Sequence, residues 1–177
     1  MALLLRPQAE FELARRFQDG GAPLGEVFQF GSGLYFRGKL AYARAFAAEA
    51  LAIVPGRGLL DVAQMVTAAE LRAIAAVDVD LRDWRYREPL ERDARALAAR
   101  HAGEVVLLGS IATGKYADVL LEIFGERLLF PPSFVGRGDM SRGGLLLRCV
   151  RAAEELEYAP LRGAVRHGPR PPKLGKA

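Results

Sequence analysis

The chain has 177 residues, half of them apolar, and a formal net charge of +4, which suits one soluble domain with a proper core. No apolar run reaches the roughly 18 residues that a membrane span needs. The opening MALLLRPQAEFELARRF is too short in apolar residues for a signal peptide, so a cytoplasmic protein without a membrane partner is expected.

The single Cys149 excludes an internal disulfide framework, and its apolar neighbours predict a buried, inert thiol. The positive charge is uneven. Arg162, Arg166, Arg170, Lys173 and Lys176 stand in 162–177 with no acid among them, and setting them aside leaves 20 cations against 21 acids. The expected organisation is therefore a single domain over 1–161 and a flexible, basic, Pro/Gly-rich tail over 162–177.

In chain order, helical spacing of Phe11, Leu13, Ala14 and Phe17 predicts a helix over 8–18, stopped by DGGAP. EVFQF, 26–30, has strand composition, and a helix is expected from Leu34 to Ala50. LAIV, 51–54, reads as a buried strand closed by PGRG. Thr67 and Glu70 spell a capping box, opening a helix over 68–76. Residues 78–87 read as irregular or as an edge strand. Leu90, Ala94, Leu97 and Ala98 share one face of an amphipathic helix from Glu88 to His101. EVVLLG, 104–109, is a continuous apolar run expected of a strand covered on both faces. Lys115 to Phe124 should be helix, RLLFP (127–131) a strand, and 142–157 a last helix.

Strands alternating with helices predict a three-layer, Rossmann-like α/β fold, its mostly parallel sheet of about four to five strands covered by helices on both faces. In such folds ligands bind beyond the carboxyl ends of the strands. Four Gly-rich segments then become comparable: GSGLYFRGK (31–39), VPGRGLLD (54–61), GSIATGKY (109–116) and FVGRGDMSRGG (134–144). Glycine admits close ligand approach, and arginine offers a fork matched to phosphate or carboxylate. The expected ligand-binding residues are Ser32, Tyr35, Arg37, Lys39, Arg57, Ser110, Thr113, Lys115, Arg137 and Arg142. Asp61 and Asp139 are the carboxylates available as acid or base, each with an ion-pair reading beside it.

GSIATGKY is one residue short of a P-loop, since Tyr116 stands where the Mg²⁺-binding hydroxyl belongs. An anion-site wall is expected there rather than an ATP-hydrolysing loop. His101 and His167 are isolated, so neither a metal cluster nor a Ser/His/Asp triad is expected, and no cofactor is read from the sequence. Trp84 and Tyr86 lie among Arg82, Arg85 and Arg87, a spelling for base stacking. Five acids at 80, 83, 88, 91 and 93 nearly cancel those arginines, which favours a solvated face or subunit contact.

LYFRGKLAYARAFA (34–47), AIVPGRGLLD (52–61) and LLGSIATGKYADVLLEIF (107–124) resemble a family of uncharacterised bacterial and phage α/β domains. That family is distantly similar to uracil-DNA-glycosylase-like domains, and the resemblance implies a nucleobase, nucleotide or nucleic-acid ligand. Its members carry a polar SCxxxK-like turn after the first strand, where this chain has QFGSG. The combined expectation is a protein that binds a phosphate-bearing nucleotide or nucleic-acid fragment and cleaves or transfers at a glycosidic bond. The alternatives are a non-catalytic nucleic-acid-binding module and a structural protein or homo-oligomer.

Overall fold

The computed structural model of the protein describes residues 3–172. Six α-helices dominate the described residues: α1 (Glu12–Gly20), α2 (Leu24–Phe46), α3 (Ala68–Ala75), α4 (Trp84–Arg100), α5 (Gly114–Phe124) and α6 (Asp139–Ala152). The strands are short: β1 (Ala22–Pro23), β2 (Leu51–Val54), β3 (Gly58–Asp61), β4 (Met65–Val66), β5 (Val105–Val106), β6 (Leu128–Phe130) and β7 (Ala159–Pro160).

The three-layer parallel sheet is not formed. β1 pairs with β4 and β2 with β3, both antiparallel, and β5-β6-β7 make a third small sheet in which β5 and β6 alone are parallel. An apolar run tells which residues avoid water but not which strand they will pair with. LAIV is a strand as expected, yet PGR turns it straight back into β3, with Leu51 opposite Asp61 and Val54 opposite Gly58. Gly56 (φ 74°) and Gly58 (φ 83°) supply the left-handed backbone that this tight return requires.

The second correction concerns EVFQF, which is helical. Leu24, Val27 and Phe28 are all buried, and their i, i+3, i+4 spacing puts one stripe of α2 into the core. Burial at helical period overrides the β-propensity of Val and Phe. α2 continues through GSGLYFRGK and bends at Gly33, whose φ of 64° breaks the helical run. GSGLYFRGK is therefore the middle of a helix and not a strand-end loop. Thr67 forms the expected capping box with Glu70, and Gly125 (φ 59°) follows the end of α5 at Phe124, where the expected helix stops.

Three apolar clusters hold the described residues together. Phe17, Leu24, Val27 and Leu71 join α1, the start of α2 and α3. Tyr86, Leu90, Leu120, Phe124 and Leu128 join α4, α5 and β6. Tyr42, Phe134 and Leu146 join the end of α2 to α6. β3 docks on α4 through Gly58, where a Cβ would lie 2.5 Å from the Pro89 carbonyl oxygen. Asp93 completes that joint by accepting from the Leu59 N–H at 2.9 Å.

Among the described residues no helix is long and apolar enough to cross a membrane. The described part of the basic segment lies against the domain: Arg162 pairs with Glu126 and Arg166 with Asp118, both at 2.6 Å. Lys173 and Lys176 lie outside the described residues.

Candidate functional site

The site is made by a close helix crossing. α2 and α6 meet at Gly38 and Gly143, where a Cβ on Gly38 would stand 2.7 Å from the Gly143 carbonyl oxygen, and one on Gly143 would stand 2.7 Å from that of Leu34. Only bare backbone permits this approach. It brings Tyr35 and Lys39, one helical turn apart on α2, beside the first turn of α6.

Arg142 on α6 is 8% exposed. Its Nε donates to the Phe134 carbonyl at 3.1 Å, and its Nη1 donates to Asp139 Oδ1 at 3.3 Å. Its guanidinium carbon lies 5.9 Å from the centres of both the Tyr35 and Phe134 rings. Lys39 Nζ sits 4.1 Å from the centre of the same Tyr35 ring. No ion pair or hydrogen bond to Lys39 is formed among the described residues. Burial lowers the Lys39 amine to about 8; Asp139 opposes that shift and Arg142 adds to it.

A vestibule of about 360 Å³ opens beside this amine, lined by Ser32, Tyr35, Lys39, Ser110, Tyr116 and Asp139, with Phe36 and Met140. It adjoins a larger, mainly apolar cavity of about 800 Å³. Ser32, Phe36, Lys39 and Tyr116 belong to both walls. Phe28, Leu40, Leu97, Leu120 and Phe124 give the larger chamber its apolar surface.

Two hydroxyls near the junction are buried with no hydrogen-bond partner among the described residues, those of Tyr35 and Tyr86. Burial raises both phenols, Tyr86 to about 12, and Tyr116 raises both further. Arg142 opposes the Tyr35 shift. Tyr86 lines the apolar chamber and is 1% exposed, so a ligand there would meet a hydrogen-bonding group that the protein leaves unused. Elsewhere in the chamber wall, the Tyr42 and Tyr158 hydroxyls lie 2.6 Å apart. Tyr42 accepts from the Leu156 N–H at 2.7 Å, and Tyr158 donates to Glu155 at 2.8 Å.

Five of the twelve residues expected from the sequence thus line the vestibule: Ser32, Tyr35, Lys39, Ser110 and Asp139, with Arg142 directly behind them. The others are placed elsewhere. Arg57 pairs with Glu70 at 3.0 Å. Asp61 accepts from the Ala63 N–H at 2.7 Å in a local turn. Arg137 donates to the Ser133 carbonyl and to Ser141. Arg37 is exposed, two residues from both Tyr35 and Lys39 and so on a different side of α2. Thr113 and Lys115 are exposed, and Thr113 caps α5 without a side-chain bond.

The P-loop spelling resolves into packing. Tyr116, not Lys115, faces the vestibule, and its ring fills the space over Gly109, where a Cβ would fall 2.8 Å from the hydroxyl. Tyr116 was the residue that spoiled the motif, and that mismatch was the signal for its separate role. The stacking spelling also divides: Trp84 is 70% exposed while Tyr86 is buried. Arg82 and Arg85 are matched by Asp80 and Asp83 at 2.5 and 2.6 Å.

Among the described residues no cluster of three or more His, Cys, Asp or Glu is placed to hold a metal ion. Burial raises the Cys149 thiol, which favours its protonated form. The resemblance noted for 34–47, 52–61 and 107–124 therefore stands on those residues alone: no protein-family model, curated protein or solved structure matches the chain.

Proposed function

We propose that the protein binds a small phosphate-bearing nucleotide or nucleobase compound, with its planar body in the apolar chamber and its anionic group at Lys39. The observation that carries this reading is a half-buried amine with no bonded counter-ion, placed where the vestibule meets the larger, mainly apolar cavity. A ligand anion would supply the missing charge partner, and the chamber volume suits a small organic ligand. The Tyr86 hydroxyl offers a donor or acceptor to a base edge inside the chamber. Asp139 is the carboxylate lining the vestibule, and on this reading it is the acid or base for cleavage or transfer at a glycosidic bond. A small molecule is favoured over a nucleic-acid strand because many surface arginines are already matched to acids, as at Arg57, Arg82, Arg85 and Arg87.

Titration calorimetry with adenosine monophosphate, adenosine and adenine tests the reading. Saturable binding of the monophosphate is expected, weakened about tenfold or more in Lys39→Met and unchanged in Arg57→Ala. Absence of binding by all three compounds, or equal affinity in wild type and Lys39→Met, would overturn it.

A further inference from the structure

We propose that Lys39 is an amine nucleophile that forms an imine with a small aldehyde or ketone whose body occupies the apolar chamber. The inference uses the same cavity but does not require a nucleotide as its occupant. Three features of the structure converge on it.

The first is placement. Lys39 belongs to the walls of both the vestibule and the chamber, so a carbonyl group at the mouth of the chamber meets its Nζ. The second is the lack of a bonded partner. Most desolvated ammonium groups are held charged by a carboxylate, but the half-buried Lys39 has only the Tyr35 ring face beneath it. Asp139 and Arg142 from α6 both act on it, with opposite signs. Burial therefore decides its proton affinity, and an appreciable fraction of the amine is neutral near pH 7. The third is a supply of proton-transferring groups around it: the Asp139 carboxylate and the Ser32, Ser110 and Tyr116 hydroxyls line the same vestibule.

The step balances without any further reactant. The Nζ lone pair attacks the carbonyl carbon, and the π electrons move to oxygen. One N–H proton passes to that oxygen to give a carbinolamine. The carbinolamine hydroxyl then leaves with the second N–H proton as water, and the nitrogen lone pair forms the C=N bond. Addition of water reverses the sequence and frees the amine.

The experiment needs no variant at first, because the chain holds only four lysines, Lys39, Lys115, Lys173 and Lys176. Wild-type protein at pH 7 is treated with benzaldehyde, a neutral probe, and cyanoborohydride, and each lysine is quantified by peptide mass spectrometry. Lys39 is expected to be alkylated at least about tenfold faster than the exposed Lys115 and than added Nα-acetyl-lysine, because far less of an ordinary amine is neutral at that pH. Its rate should rise with a midpoint near 8. Labelling of Lys39 at or below the rate of Lys115 overturns the proposal.

Lys39→Arg keeps the positive charge and removes the nucleophile. It should abolish the fast adduct while retaining part of any affinity for adenosine monophosphate. Loss of both together with a cooperative melt refers the defect to the cavity, and the wild-type comparison still decides the imine. The two readings fail separately: benzaldehyde reports the amine with no anion present, and the monophosphate reports the anion site with no carbonyl present.

Discussion

Lys39 and Arg57 lie in two Gly-rich, cationic stretches that look alike in sequence, yet their surroundings differ in the way that matters for binding. Arg57 leaves the β2–β3 turn to meet Glu70 at 3.0 Å, with both side chains about one-third exposed. Glu70 is bonded in turn to the Thr67 backbone and hydroxyl, so the arginine braces a helix cap. Lys39 enters a crevice between two helices and finds an aromatic face but no carboxylate in bonding reach. A cation matched at the surface adds little beyond local order. A half-buried one without a bonded match is costly to the fold and available to a ligand. Clustered charge in a sequence therefore does not locate a site; the charge that the fold leaves unanswered does.

The comparison depends on the helix crossing, so its most disruptive test is there. Gly143→Val places a side chain 2.7 Å from the Leu34 carbonyl oxygen. It should destabilise the protein by about 3 kcal/mol, read by denaturant unfolding, and should abolish the selective labelling of Lys39. A protein of unchanged stability would mean that α2 and α6 do not meet as described.

Alkaline stability isolates Lys39 next. Its folded-state pKa of about 8 lies below the ordinary 10.5, so between those values the unfolded chain binds more protons. Wild-type stability should therefore rise from pH 8 to 10 relative to Lys39→Met, by at most about 2–3 kcal/mol. Parallel curves for the two proteins would show that Lys39 is not desolvated. Above pH 10 the buried phenols of Tyr35 and Tyr86 act in the opposite direction, because folding holds their protons on.

Tyr86→Phe removes a buried hydroxyl that has no partner. The ligand-free protein should gain about 1 kcal/mol, seen as a higher melting temperature, while affinity for any compound that bonds that hydroxyl falls. A loss of stability would reveal a partner for the hydroxyl inside the fold.

The smallest effect belongs to the hairpin brace. Arg57→Ala should cost less than about 0.5 kcal/mol at neutral pH and leave labelling and binding untouched. Glu70 is held down to about 2, chiefly by the Thr67 backbone bond and then by Arg57. Its folded pKa is depressed, so that stabilisation is present above about pH 4.5 and disappears as the pH falls toward 2. In Arg57→Ala the acid unfolding midpoint should move up slightly, and a large shift would give the brace more weight than its exposure suggests.

Local signals were legible residue by residue. The Thr67–Glu70 capping box, the amphipathic face of α4, the β2 strand and the Gly125 helix end all follow from neighbours within a turn or two. EVFQF departs from its strand expectation because Val and Phe suit a strand in isolation, and only the core beneath Leu24, Val27 and Phe28 makes them helical. The sheet differs from its expectation because strand pairing is a long-range choice. PGR can feed a helix or return as a hairpin, and Gly58 packed against Pro89 and Asp93 holds the second. For the site, the sequence by itself determined the inventory: glycines that permit close approach, a few lysines, and tyrosines and serines near them. Tertiary structure alone decided which of these meet, because burial and charge matching are properties of neighbours in space. The Gly38–Gly143 crossing carries Lys39 away from any bonded carboxylate, whereas the β2–β3 hairpin delivers Arg57 to one.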